Sequence, residues 1–163
     1  MDTPRTIRGY ATYGKRRSLR LEGLDYSESH VYHITWRAYV KARNPLSEHL
    51  RTEIVRTLND RASTLEIRVL AYCVMPDHVH VLLIPNGSAS VTKFVQQVKS
   101  LTTRTYWLNG GCGKLWQRGF YDHVLRRDED VLTTSRYIAG NPVRSGLVSD
   151  ASKYPFSGPR GIP

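Results

Sequence analysis

Cysteine is scarce in this 163-residue sequence. The only two, Cys73 and Cys112, lie far apart and form no C-x-x-C pair. This spacing disfavours a disulfide framework and a cysteine-based zinc ribbon. The composition therefore predicts a protein of a reducing compartment, which we expect to be the cytoplasm.

Long apolar runs are also missing. No stretch approaches the roughly 20 residues that a membrane-spanning helix needs, and the polar start Met1–Arg5 predicts no signal peptide. No internal repeat and no low-complexity block interrupts the chain. The length suits one globular domain with a buried core, and nothing predicts a membrane partner.

Acidic residues are few relative to basic ones. Twenty-four Lys and Arg against fourteen Asp and Glu give a net charge of +10 and a pI near 9.9. Such an excess favours a polyanionic partner, because basic side chains that neutralise phosphates release condensed counterions. A merely solvated basic surface is the alternative. Association with the nucleoid is expected on the same ground. The candidate DNA contacts are Lys15, Arg16, Arg17, Arg20, Arg37, Lys93, Lys99, Arg104 and Arg118.

The hydrophobic pattern predicts an α+β domain. Residues 1–27 carry basic residues without periodicity and are predicted to be a basic N-terminal arm, followed by a domain over 28–150 and a C-terminal tail over 151–163. Within the domain, period-2 and period-3.6 segments alternate in the order β-α-β-β-α-β-α. That order is typical of a ferredoxin-like or RRM-like split βαβ fold, an antiparallel sheet with helices on one side plus a further C-terminal helix.

The predicted elements have specific bounds. Strands are expected at 30–40, 65–75, from His78 onward, and at 115–125, with helices beginning after Ser47, at Ser90 and near Asp130. The inward-facing residues predicted for the first two helices are Leu46, Leu50, Ile54, Leu58, Val91, Phe94, Val98, Leu101 and Thr105.

A histidine pair opens the strand-like run "MPDHVHVLLIPNG". Side chains alternate in a strand, so His78 and His80 point to one face, about 7 Å apart along the chain. Two imidazoles on a rigid element are suited to bind a metal ion. The triplet alone is weak evidence, because a motif counts only in its structural context.

The last predicted helix, "DEDVLTTSRYIAGNP", carries a tyrosine off its apolar face. Tyr137 falls roughly 150° from the centre of the stripe formed by Val131, Ser135 and Ile138. Asn141 lies four residues later on nearly the same side, although Pro142 disfavours helical geometry at that residue. The helix thus presents a phenol and an amide together.

These residues resemble a known family. His78-Val79-His80 with Tyr137 and Asn141 is similar to the HUH single-tyrosine transposases of the IS200/IS605 type, and more closely to REP-associated tyrosine transposases. From about Val31 to Ser157, the segments "VYHITWR", "AYCVMPDHVHVLL", "LWQRGFYDHVLR", "RYIAGNPVRSGLV" and "KYPFS" stand in the expected order. Asn141 replaces the Gln of insertion-sequence enzymes and agrees with the REP-associated group.

The resemblance implies a mechanism. Tyr137 would be the nucleophile that cleaves single-stranded DNA through a 5′-phosphotyrosine link, and a hairpin-bearing REP-type element would be the partner. His78, His80 and Asn141 would hold a divalent metal, Mg²⁺ or Mn²⁺, although imidazoles also accept Zn²⁺, Co²⁺ or Ni²⁺. A cation there polarises the phosphate and stabilises the leaving 3′ oxygen. Insertion-sequence relatives act as dimers and REP-associated relatives need not, so monomer and homodimer both stay open.

Other interpretations also stay open. A basic binding module would need no tyrosine off the core face, and a metal-dependent phosphodiesterase would use water and form no covalent link. Tyr121 is a rival nucleophile, although its alternation is typical of sheet packing. His33 and His123 are candidate outer partners of the metal site, and Asp77 fits a role in the turn.

Overall fold

The computed structural model describes residues 30–39, 46–86, 89–126 and 129–159. The predicted basic arm, including Lys15, Arg16, Arg17 and Arg20, lies outside the described residues. Of the helices within the described ranges, none has the length and apolar character to cross a membrane.

The described elements follow the predicted order and add three short ones. They are β1 (Tyr32–Arg37), α1 (Glu48–Thr64), β2 (Arg68–Val74), β3 (His78–Ile84), α2 (Val91–Leu108), β4 (Tyr121–Val124), α3 (Val131–Ala139), α4 (Asn141–Arg144), a 3-10 turn (Ala151–Lys153) and β5 (Ser157–Gly158).

The strands form one antiparallel sheet in the order β4-β1-β3-β2-β5. β3 lies between β1 and β2, and α1 connects these two outer strands. This is the split βαβ arrangement, so the predicted ferredoxin-like α+β fold is confirmed.

One side of the sheet, the core face, carries Tyr32, Ile34 and Trp36, all essentially inaccessible to solvent. α1 and α2 pack against each other and complete the core on this side. α1 begins where it was predicted to begin, because Ser47 Oγ accepts a hydrogen bond from Leu50 N at 3.2 Å. Leu46, Leu50, Ile54 and Leu58 are all buried, as predicted.

Three predicted strands were too long. Leu65 is the C-cap of α1, and Glu66 has φ of +53°, so β2 begins only at Arg68. The fourth strand was predicted over 115–125 but forms a continuous strand only over Tyr121–Val124. Trp116 pairs with Ala38 in an isolated bridge, and Gly119, with φ of +76°, interrupts the extended backbone between the two. The first strand is likewise shorter, at Tyr32–Arg37.

The predicted inward face of α2 was wrong at Leu101, and Thr105, which was also predicted to face inward, is only half-buried. Leu101 is 40% exposed, and Thr102 is buried in its place. The hydroxyl of Thr102 donates to Val98 O at 2.7 Å and accepts from Trp116 Nε1 at 2.9 Å. A buried hydroxyl with both partners is compatible with a core position, and hydropathy alone did not indicate it.

The end of the chain contributes to the fold. Residues predicted to form a tail include buried Tyr154 and Phe156 and the short β5, which pairs with β2. The hydroxyl of Tyr154 donates to Val74 O at 2.8 Å. Part of the predicted tail therefore packs against the sheet.

α3 covers the opposite side of the sheet, where it packs against β2 and β3. Its fully buried Ile138 faces the sheet together with Ser135. Cys73 and Leu82 are also inaccessible to solvent, and strand alternation places both on this side. The helix begins at the predicted cap, since the Asp130 carboxylate accepts from Leu132 N and Thr133 N.

Candidate active site

The side of the sheet away from α1 and α2 carries the histidines and is called here the histidine face. Strand register brings Thr35 of β1 opposite His80 of β3, and Arg37 opposite His78. His33 is the β1 residue two positions before Thr35 and lies on the same face. The predicted shared face of His78 and His80 is present, with their ring centroids 4.8 Å apart.

His80 is anchored from the neighbouring strand. Its Nδ1 lies 2.9 Å from Thr35 Oγ1 and 3.1 Å from His33 Nε2. Burial, assisted by the charge of His78, lowers the pKa of His80 to about 3, and burial with the charge of His123 lowers the pKa of His33 to about 4. Both imidazoles are therefore neutral at physiological pH, which is the form that binds metals.

His78 is anchored by the residue before it. Its Nδ1 donates to Asp77 Oδ1 at 2.5 Å, and Arg37 forms a 3.8 Å ion pair with the other carboxylate oxygen of Asp77. A carboxylate that accepts from one imidazole nitrogen fixes the tautomer and makes the other nitrogen a better ligand. Asp77 thus has a role beyond the turn at which the sequence places it.

Tyr137 lies on the exposed side of α3, 49% accessible. The 3.6-residue period predicted that it faces away from the apolar stripe, and this is confirmed. The Arg144 guanidinium lies over its ring, 4.1 Å from the centroid. The phenol is accessible to a ligand while its ring is held by a cation.

Asn141 begins α4 rather than continuing α3, as the following proline suggested. Its side chain is buried, its Oδ1 accepts from Arg144 Nη2 at 2.9 Å, and its Nδ2 has no hydrogen-bond partner in the described structure. Arg144 also lies close enough to His80 for its charge to help lower the pKa of that histidine. The guanidinium therefore connects the helical residues with the histidine face.

The donor set fits a divalent metal. Each imidazole is engaged through Nδ1, and no described residue hydrogen-bonds Nε2 of His78 or His80. No cluster of three or more His, Cys, Asp or Glu side chains within the described ranges is arranged to bind a metal. Asn141, the predicted third ligand, has an amide oxygen that keeps a second lone pair beside its bond from Arg144.

The predicted DNA contacts are divided between two faces. Arg37 lies on the histidine face beside His78. Lys93, Lys99 and Arg104 lie on α2, on the opposite side of the sheet, and Arg118 lies in the loop before β4. Lys99 is largely committed to the fold, because its ammonium donates to the carbonyl oxygens of Gln117 and Gly119. Its burial lowers its pKa to about 8.

The other candidate residues, Tyr121 and His123, both lie on β4. Tyr121 is opposite Thr35 in the register, so it lies on the histidine face, and it is 52% exposed rather than packed. It therefore stays a rival to Tyr137. His123 lies opposite His33, and its Nε2 is 2.8 Å from Glu129 Oε1.

The comparisons with known proteins agree with this architecture. Residues 26–141 match the model of the family described as "Transposase IS200 like". The REP-associated tyrosine transposase of Escherichia coli K12 is 30% identical over 142 residues, which are 80% of this chain and 81% of that protein. A putative REP-associated tyrosine transposase of Haemophilus influenzae is 24% identical over 146 residues, 82% of this chain and 81% of that one.

Two solved structures share the fold. A REP-associated tyrosine transposase bound to a REP hairpin superposes with a TM-score of 0.69 at 21% identity, covering 85% of this chain and 82% of that one. A putative transposase of Deinococcus radiodurans R1 gives a TM-score of 0.51 at 20% identity, covering 77% and 97%. The chain therefore belongs to the IS200-like transposase family, in its REP-associated tyrosine transposase branch.

Proposed function

We propose that this protein cleaves and rejoins single-stranded DNA through a covalent link to Tyr137. The observation that supports this most is the combination of an accessible phenol with a buried amide and two imidazoles that are anchored through Nδ1. A module that only binds DNA has no need of that combination.

The chemistry follows from what the side chains offer. Tyr137 Oη attacks the scissile phosphorus, so that a bond from Oη to phosphorus forms and the bond to the 3′ oxygen breaks. The phenol gives up its proton, and the departing oxygen takes one up as a 3′-hydroxyl. The phosphotyrosine conserves the bond energy, so a second 3′-hydroxyl can reverse the attack and join strands without ATP.

The metal ligands would be His78 Nε2, His80 Nε2 and Asn141 Oδ1, with Mg²⁺ or Mn²⁺ as the proposed ion. A divalent cation bound there neutralises phosphate charge and stabilises the leaving 3′ oxygen. Asp77 and Thr35 keep Nε2 of each imidazole directed to the ligand by engaging Nδ1.

The proposed substrate is a single strand bearing a REP-type hairpin. The E. coli relative is named for REP elements, and the similar solved structure holds a REP hairpin. The +10 net charge fits a phosphate-rich partner. Arg37 lies on the histidine face beside His78 and is therefore the proposed phosphate contact at the site.

The test is covalent capture. An end-labelled oligonucleotide carrying the hairpin repeat that adjoins the gene is incubated with Mn²⁺ or Mg²⁺ and run on a denaturing gel. We expect a slower-migrating adduct, with the nucleotide mapped to the peptide containing Tyr137. Tyr137→Phe should abolish the adduct and keep the fold, because it deletes only the attacking oxygen.

Tyr121→Phe is the matched control, since it removes a phenol that is exposed to a similar extent on the same face of the sheet. It should form the adduct at the wild-type level. An adduct that maps to Tyr121 would reject the assignment. Cleavage without any adduct would favour a water-using phosphodiesterase, and binding without cleavage under both metals would favour the binding module.

A further inference from the structure

Arg144 contacts the proposed nucleophile and the proposed third metal ligand at the same time. Its guanidinium lies over the Tyr137 ring at 4.1 Å, and its Nη2 donates to Tyr137 O at 2.5 Å and to Asn141 Oδ1 at 2.9 Å. Both hydrogen bonds use Nη2. Nη1 and Nε have no acceptor among the described residues, so the side chain keeps donors for a ligand.

Space for this guanidinium is provided by a glycine. A Cβ on Gly140 would lie 2.8 Å from Arg144 Nη1, closer than a carbon atom normally comes. Gly140 has φ of −79°, which every residue adopts, so a positive φ does not require glycine there. What the absent side chain provides is room for the arginine.

The position also fits an anionic ligand. For attack, a phosphate must approach the tyrosine oxygen to about 3–3.5 Å. A guanidinium stacked on the same ring is within reach of the other oxygens of that phosphate, and its planar fork matches phosphate geometry. A stacked pair at an exposed site is weak, so Arg144 can turn toward DNA while it stays bonded to Asn141.

We infer that Arg144 binds a non-bridging oxygen of the scissile phosphate beside Tyr137, held ready before DNA arrives by its bonds to Tyr137 and Asn141. This inference rests on the proposed function of Tyr137. The ligand is a single-strand phosphodiester, and the contact is a charge-assisted hydrogen bond.

The test combines a protein variant with a substrate variant. The hairpin oligonucleotide is made with its ordinary scissile phosphate and with a neutral methylphosphonate at that position. Binding is measured in EDTA on a Tyr137→Phe background, where no reaction occurs. Arg144→Ala should weaken binding of the phosphate strand about tenfold or more, the usual range for a hydrogen bond to a charged group. It should change binding of the methylphosphonate strand less than about twofold, because the charged acceptor is gone.

Gly140→Ala keeps the arginine and displaces its guanidinium. It should weaken binding of the phosphate strand by less than Arg144→Ala does, again with little effect on the methylphosphonate strand. Lys153→Ala is the control for lost charge, since Lys153 is an exposed residue of the 3-10 turn. It should weaken both strands equally. Circular dichroism and thermal unfolding verify the fold of each variant.

Cleavage kinetics, measured with protein that retains Tyr137, provide a second test. With the phosphate strand and Mn²⁺, Arg144→Ala should lower kcat about 100-fold, because the contact strengthens as charge builds on the phosphate. Equal losses on both strands in EDTA, or wild-type binding and kcat in Arg144→Ala, would overturn the inference. Failure of the tyrosine assignment would look different, since Tyr137→Phe would then still cleave.

Discussion

The two halves of the candidate site are held in different ways. The sheet half consists of His78 and His80, whose Nδ1 atoms are engaged by Asp77 and by Thr35 of a neighbouring strand. The helical half consists of Tyr137, Asn141 and Arg144, which contact one another within a single short segment. The first is fixed by strand pairing across the fold, whereas the second is fixed by local helix geometry.

The two halves therefore meet different requirements, namely fixed orientation in the sheet half and accessibility in the helical half. The two proposed imidazole ligands must be directed, and the hydrogen bonds at their Nδ1 atoms provide that. A nucleophile must reach a large flexible substrate, and an exposed residue on a short helix provides that. Loss of one half should therefore leave the other largely intact, and the predictions below test this independence.

The largest effect is expected on metal affinity. His80→Ala should reduce Mn²⁺ affinity by more than about 100-fold, since it removes a direct ligand and even outer partners contribute 10- to 100-fold. Tyr137→Phe should bind Mn²⁺ like the wild type, because the phenol is not a proposed ligand. Calorimetric titration measures both. Unchanged affinity in His80→Ala would refute the metal site.

The second effect is on stability against acid, and it belongs to the sheet half. Folding lowers the pKa of His80 to about 3 and that of His33 to about 4 from 6.5. The unfolded chain then binds more protons below pH 6.5, so the folded state loses stability as pH falls from there toward those values. Between pH 7 and pH 5 the metal-free protein should lose about 2–4 kcal/mol through these two groups.

Urea unfolding at both pH values, in EDTA, provides that measurement. His33→Gln serves as the reference, since glutamine keeps a polar side chain but cannot titrate. Its loss between the two pH values should be smaller than that of the wild type. If wild type and His33→Gln lose the same free energy of unfolding between the two pH values, protonation of His33 does not contribute to the acid destabilisation.

The smallest effect concerns the helical half alone. Asp130 caps α3 by accepting from Leu132 N and Thr133 N. Asp130→Ala should cost about 1 kcal/mol, which speeds amide exchange over Val131–Ala139 about fivefold. Exchange over His78–Ile84 should not change. An equal increase in the amide exchange rate of β3 would mean that the two halves unfold together, and it would contradict their independence.

The sequence predicts the two halves unequally. Period 2 in β3 placed His78 and His80 on one face, and period 3.6 in α3 placed Tyr137 outside the apolar stripe. The hydrogen bond between Thr35 and His80 could not be predicted, because it depends on how β1 and β3 are aligned in the sheet. The two residues lie 45 positions apart in the sequence, and no local pattern reveals that register. The sequence analysis predicted no role for Arg144, because its contacts with Tyr137 and Asn141 depend on the short helix α4.

The buried partners were the hardest to predict. In the sequence, Thr102 cannot be distinguished from a surface threonine of an amphipathic helix. It is buried because Trp116, in the loop after α2, packs against it and donates a hydrogen bond to its hydroxyl. The short β5 carries no strand signal, since Ser157 and Gly158 favour turns. Ser157 and Gly158 are extended because they pair with the edge of β2, and that pairing depends on the tertiary structure rather than on local sequence.

The contiguity of the helical half has a consequence for inheritance. The eight residues from Tyr137 to Arg144 carry the proposed nucleophile, the amide, the glycine and the guanidinium as one uninterrupted run. A single short stretch of coding sequence thus determines their mutual arrangement, and an insertion in the connection between β4 and α3 would shift all of them together. Exchange of that stretch would therefore transfer all four groups together, in the arrangement that they have here.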